Sequence, residues 1–133
     1  MNEHERWILE WTKKADSDFK TAKIVFDSGE PIYDSICFHC HQCAEKYLKA
    51  YLIHSSTAVT KTHDLEKLLN ECIHMAQEFS ELHESCFILK DYAGEIRYPD
   101  DYVEITREEA DKAIDHASFV RDFVRARIGF LNI

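Results

Sequence analysis

Apolar residues recur along this chain at steps of three and four, the spacing that gathers them on one face of an α-helix. Ile8, Trp11, Ala15, Phe19, Ala22 and Phe26 form the first stripe, in a segment running from about Glu5 to Ser28. Gly29 predicts its end, and Pro31 suits the first turn of the next helix, where a proline's missing N–H does no harm. From Pro31 to about His54 there are two stripes. Ile36, Cys40, Cys43, Tyr47 and Ala50 make one, and Tyr33, Cys37, Ala44, Leu48 and Tyr51 make the other. A helix apolar on two sides belongs in the middle of a bundle.

Ser55 to Thr62 reads as a polar connection. The stripe resumes with Leu65, Leu68, Cys72, Met75 and Phe79, which predicts a third helix from Asp64 to about Phe79. Thr62 or His63 is expected as its N-cap, with Asp64 and Glu66 suited to the positive helix start. Ser80 is expected to cap a fourth helix carrying Leu82, Cys86, Leu89, Ala93 and Ile96, which Pro99 ends. After the loop Arg97-Tyr98-Pro99-Asp100-Asp101-Tyr102, the run Thr106-Arg107-Glu108-Glu109 is a capping box. Ala110, Ala113, Ala117, Val120, Val124 and Ile128 supply the last stripe, and Arg121, Arg125 and Arg127 complement that helix's negative end. The pattern predicts an all-α fold, an antiparallel up-and-down bundle of about five helices with a four-helix core. One domain over residues 1–133 is expected.

Composition agrees with that picture. The chain has only three Gly and two Pro among 133 residues, too few for the frequent turns of a sheet protein. Five cysteines, an odd number, fit free thiols in a reducing compartment. The start Met1-Asn2-Glu3-His4-Glu5 does not resemble a secretory leader, and no apolar run reaches the length of a membrane span, so a cytoplasmic protein is expected. A net charge of −9 argues against broad nucleic-acid binding, though not against a small cationic pocket for one ligand.

Candidate chemistry is sparse. Cys37-Phe38-His39-Cys40-His41-Gln42-Cys43 suggests a metal site, but on a helix these side chains fan around the axis. No second Cys/His pair follows at finger-like spacing, so core packing is the favoured reading and no metal or cofactor is expected. A di-iron bundle needs two Glu-x-x-His units, whereas Glu71-Cys72-Ile73-His74 stands alone within the bundle segments. The three glycines are isolated, so there is no phosphate-binding glycine loop. The narrow polar strip of the second helix holds His39, Gln42, Glu45, Lys46 and Lys49. Glu45 and Lys49 have the spacing of an i, i+4 ion pair. Arg97, a planar donor suited to phosphate or carboxylate, could serve a ligand or form a bridge to Glu45.

Three runs together resemble the HEPN domain family: Phe38-x-x-x-Gln42-x-Ala44-Glu45-Lys46-x-Leu48-Lys49-Ala50, then His63-Asp64-Leu65-x-x-Leu68-Leu69, then Arg97-Tyr98-Pro99-Asp100. Trp11-Thr12-Lys13-Lys14-Ala15-Asp16-Ser17-Asp18 is similar to the family's opening helix. The resemblance implies a helical bundle, often dimeric, that works with a minimal nucleotidyltransferase, in some cases as a toxin–antitoxin-like pair. It also implies a nucleotide or small phosphorylated ligand, with Arg97, Lys46, Lys49, Gln42 and Tyr98 as binding residues. Glu45, His63, Asp64 and Asp100 would support them. Some HEPN domains are ribonucleases that use an Arg followed four to six residues later by His. Here no histidine follows Arg97 until His116, so a ribonuclease would need a displaced histidine such as His63. A third alternative is a purely structural dimerisation domain, motivated by Tyr33, Tyr51 and the two-sided second helix.

Overall fold

Gly29 ends the first helix in the left-handed region, at φ +79°, with its N–H on the Phe26 carbonyl. That helix, α1, spans Glu3–Ser28 and is capped by Asn2, whose side chain accepts the Glu5 N–H. The computed structural model describes residues 1–94 and 104–132. Four more helices follow: α2 (Tyr33–His54), α3 (Leu65–Met75), α4 (His83–Leu89) and α5 (Arg107–Arg127). Short 3₁₀ turns occupy Gln77–Leu82, Lys90–Tyr92 and Gly129–Asn132. The fold is all-α, and among the described residues there is no strand.

α2 is the central helix, as its double stripe predicts. Ile36, Cys37, Cys40, Cys43, Ala44, Tyr47 and Leu48 are all fully buried. It packs against α1, α3, α4 and α5. Cross-helix pairs fix the directions of its neighbours. Asp16 meets Arg121 and Arg125, while Phe26 meets Arg107, so α1 runs antiparallel to α5. Trp11 meets Lys49 and Asp18 meets His39, so α1 is antiparallel to α2 as well. The buried apolar residues of all five helices join in one continuous core.

Several boundaries differ from the sequence reading, each for a local reason. Pro31 precedes the helix it was expected to open, and Ile32 is the N-cap of α2 without a side-chain bond. α3 stops at Met75 because Ala76 turns extended, at φ −152° and ψ 109°, so Phe79 reaches the core from a 3₁₀ turn. Met75 is left exposed. Ser80 is not a cap: it lies inside that turn, and α4 starts only at His83. The fourth helix ends at Leu89, one 3₁₀ turn short of Ala93, while Ile96 lies outside the described residues. Thr106 does cap α5, accepting the Glu109 N–H at 3.1 Å. The Glu109 carboxylate meanwhile accepts from the Tyr92 hydroxyl, tying α5 to the 3₁₀ turn after α4.

Gly94 is the second glycine that its position demands. Its φ is +84°, and a Cβ there would lie 2.6 Å from the Phe38 ring of α2. None of the described helices is long and apolar enough to cross a membrane.

Candidate functional site

Four residues of the α2 polar strip, His39, Glu45, Lys46 and Lys49, are paired with charged or ionisable side chains. Glu45 is only 2% exposed, although it carries a carboxylate. Such a group must be paired and hydrogen-bonded to remain charged. Two side chains hydrogen-bond it and a third lies close. Lys49 Nζ donates to Oε2 at 3.0 Å, one turn along the same helix. His63 Nδ1 lies 3.0 and 3.1 Å from the two oxygens. His41 Nε2 lies 3.3 Å from Oε1. Burial alone would push the Glu45 carboxyl up, but His41, Lys49 and His63 beside it outweigh that and hold it at about 2.

The His63 contact shapes the chain. The connection after α2 runs back along the helix until His63 reaches Glu45, well before the helix end. The N-cap of α3 is therefore Asp64, not Thr62 or His63. Its carboxylate accepts the N–H groups of Glu66 and Lys67 at 3.0 and 3.2 Å, and Thr62 Oγ1 accepts the Asp64 N–H. A carboxylate at the positive helix start is favoured, which leaves His63 free to turn inward. Only its Nδ1 edge is occupied in this way, since the side chain is 75% exposed.

Lys49 and Lys46, both expected to bind phosphate, each rest on a carboxylate. Lys49 is buried, its ammonium 5.6 Å from the Trp11 ring centre. Lys46, half-buried, donates to Asp18 of α1 at 2.5 Å, and His39 shares that aspartate at 2.8 Å. The two lysines thus serve different carboxylates. Gln42 is half-buried on the same helix. Arg97, Tyr98 and Asp100 lie outside the described residues, and so does any bridge from Arg97 to Glu45.

A second ionic cluster escaped the sequence reading. Asp16 of α1 takes Arg121 Nε at 2.9 Å and Arg125 at 3.4 Å, and it accepts the Tyr47 hydroxyl. Burial and the neighbouring carboxylate push the Tyr47 hydroxyl well up, so it stays a donor. By sequence the arginines complement only the α5 dipole. Nothing in their spacing shows that α1 passes beside them.

The cysteines are core residues. All five are free and buried. Burial pushes the thiols of Cys37 and Cys86 up to about 12, and those of Cys40, Cys43 and Cys72 are raised as well. Among the described residues no three His, Cys, Asp or Glu side chains converge on a point that could hold a metal ion.

The family model for the HEPN domain matches residues 8–127, from the first stripe of α1 to the end of α5. The chain belongs to the HEPN domain family. Two solved structures share the fold of this HEPN domain. The crystal structure of TT1696 from Thermus thermophilus has 26% identity and a TM-score of 0.78, covering 90% of this chain and 96% of its own. ST0689, an archaeal HEPN homologue, also has 26% identity, with a TM-score of 0.72 over 91% of this chain and 97% of its own. No curated protein matches the sequence closely enough to add to them. All three runs that suggested HEPN lie within the matched span.

Proposed function

We propose that this HEPN domain is a binding module, not itself a catalyst, for a nucleotide or another small phosphorylated ligand, working with a minimal nucleotidyltransferase. The observation that carries the reading is the pose of His63. Its Nδ1 is fixed on buried Glu45, while most of the ring faces solvent at the mouth of a cluster that also contains Lys49. In its doubly protonated form an imidazole held by one edge offers the N–H of the other to a phosphate oxygen, with little entropy left to lose. Arg97, Tyr98 and Gln42 belong to this reading as further ligand contacts, with Lys46 leaving Asp18 to join them. Calorimetric titration with ATP, with and without the partner, tests it. Binding weakened tenfold or more in both His63→Ala and Arg97→Ala supports the module. No heat in either setting, or binding indifferent to both substitutions, overturns it.

One observation favours a ribonuclease as the second reading. A histidine oriented by a carboxylate through Nδ1, with Nε2 left outward, has the form of a general acid–base. His63 would then be the displaced histidine acting with Arg97. Cleavage of RNA by the purified chain, lost in both His63→Ala and Arg97→Ala, would establish this reading over the first. Intact RNA would remove it.

A further inference from the structure

Trp7 is the bulkiest of the exposed apolar side chains, with 56% of its surface open to solvent. A single exposed aromatic is ordinary by itself. This one is placed. Its ring stands edge-on to Trp11, with centroids 6.3 Å apart and planes at 88°, so it is steadied while more than half of it stays in water. Trp7, Trp11, Lys14 and Asp18 follow one another at steps of four, three and four, which puts them on one side of α1. That side is turned toward the polar strip of α2. Asp18 takes Lys46 and His39, and the Lys49 ammonium lies 5.6 Å from the Trp11 ring. Lys49 and His63 meet on Glu45, so a line of contacts, each of 6.3 Å or less, joins Trp7 to His63.

Spacing along that line fits a nucleotide. α1 and α2 are antiparallel, and Trp11 is level with Lys49, so Trp7 and Glu45 lie one turn to either side. Two turns amount to about 11 Å along the helix axis, close to the reach of a nucleotide from base to terminal phosphate. Lys14, exposed and level with Glu45, adds a cation at the phosphate end. A shallow hollow of about 480 Å³ opens beside Trp7, lined by Glu3, His4, Arg6 and Glu10. Those charged neighbours are unlike the apolar centre of a protein–protein interface, from which charge is depleted. They suit a flat ring with polar edges, whose N–H groups a carboxylate such as Glu10 can accept.

We propose that Trp7 is the base-binding residue of this domain. The nucleobase stacks on the exposed indole, and the phosphates run past Lys14 toward His63. The inference rests on the ligand-binding reading above and adds to it where the base lies. Stacking of a base on an aromatic ring corresponds to roughly a tenfold gain in affinity.

ATP and inorganic triphosphate, which carry the same phosphate chain with and without a base, test it by calorimetry on the full chain. ATP is expected to bind about ten times more tightly than triphosphate. It should also quench the tryptophan emission, which comes from Trp7 and Trp11 alone. Trp7→Leu should reduce ATP to the level of triphosphate and leave triphosphate unchanged, while Trp7→Phe, which can still stack, keeps most of the preference. Equal binding of the two ligands to the native chain, or an ATP affinity indifferent to Trp7→Leu, overturns the base site and leaves the phosphate reading standing. A Trp7→Leu variant that loses both ligands alike overturns it too, since the side chain would then act on the fold or the phosphates. Should that variant not fold, the native preference and the quenching decide. No binding of either ligand removes the base site and the reading beneath it together.

Discussion

Glu45 and Asp16 are both carboxylates surrounded by nitrogen-bearing side chains, yet they sit in different surroundings. Glu45 is nearly sealed, its side chain 3% exposed, and two of its partners, His41 and Lys49, are sealed with it. Asp16 is 37% exposed, and its partners Arg121 and Arg125 are 31% and 25% exposed. Water can replace whatever Asp16 loses. It cannot readily reach what Glu45 would leave behind. The same carboxylate–cation chemistry is therefore a structural necessity in one place and a modest reinforcement in the other.

The largest effect expected from this contrast is that of Glu45→Ala. It strands the Lys49 ammonium and His41 in the interior, and should lower the unfolding free energy by about 3–5 kcal/mol in urea titrations. A loss below about 1 kcal/mol would show that water already reaches the cluster. Acid should reveal the same group. The Glu45 carboxyl is lowered from 4.5 to about 2 in the folded chain, so its stabilisation is complete above the unfolded value and fades as pH falls through that window. The shift corresponds to about 3 kcal/mol at most, and the acid-dependent part should be missing in Glu45→Gln.

Asp16→Ala should cost less, about 1–2 kcal/mol by thermal or urea unfolding, mainly because the Tyr47 hydroxyl loses its acceptor. A loss as large as that of Glu45→Ala would mean that exposure does not govern the difference. The smallest expected effect is salt. Raising sodium chloride from about 0.05 to 0.5 M shortens the screening length, and should shrink the Asp16→Ala deficit by a few tenths of a kcal/mol while leaving the Glu45→Ala deficit unchanged.

These clusters also mark where a single sequence stops being informative. The stripes of α1, α2 and α5 were legible because periodicity is local, and the residues assigned to the two α2 stripes are buried or half-buried as expected. The Glu45–Lys49 pair was legible for the same reason, one turn apart on one helix. His63 on Glu45, His41 on Leu89 and Arg121 on Asp16 were not. Helical spacing says which face a residue occupies, but not which distant residue lies opposite. The early end of α3 was hidden too, since Ala76 favours helix intrinsically and tertiary packing overrides it. His63 misled as a cap because Asp64, one place on, was the better acceptor for the amides of α3.

The five cysteines give this bundle a built-in clock. Every thiol is enclosed and held in its unreactive protonated form, and together they report from α2, α3 and α4. An alkylating reagent near neutral pH can modify them only when the bundle opens, so the rate at which mass accumulates measures the frequency of opening, helix by helix. If α3 and α4, interrupted by extended Ala76, part before α2 does, Cys72 and Cys86 will be tagged ahead of Cys40 and Cys43.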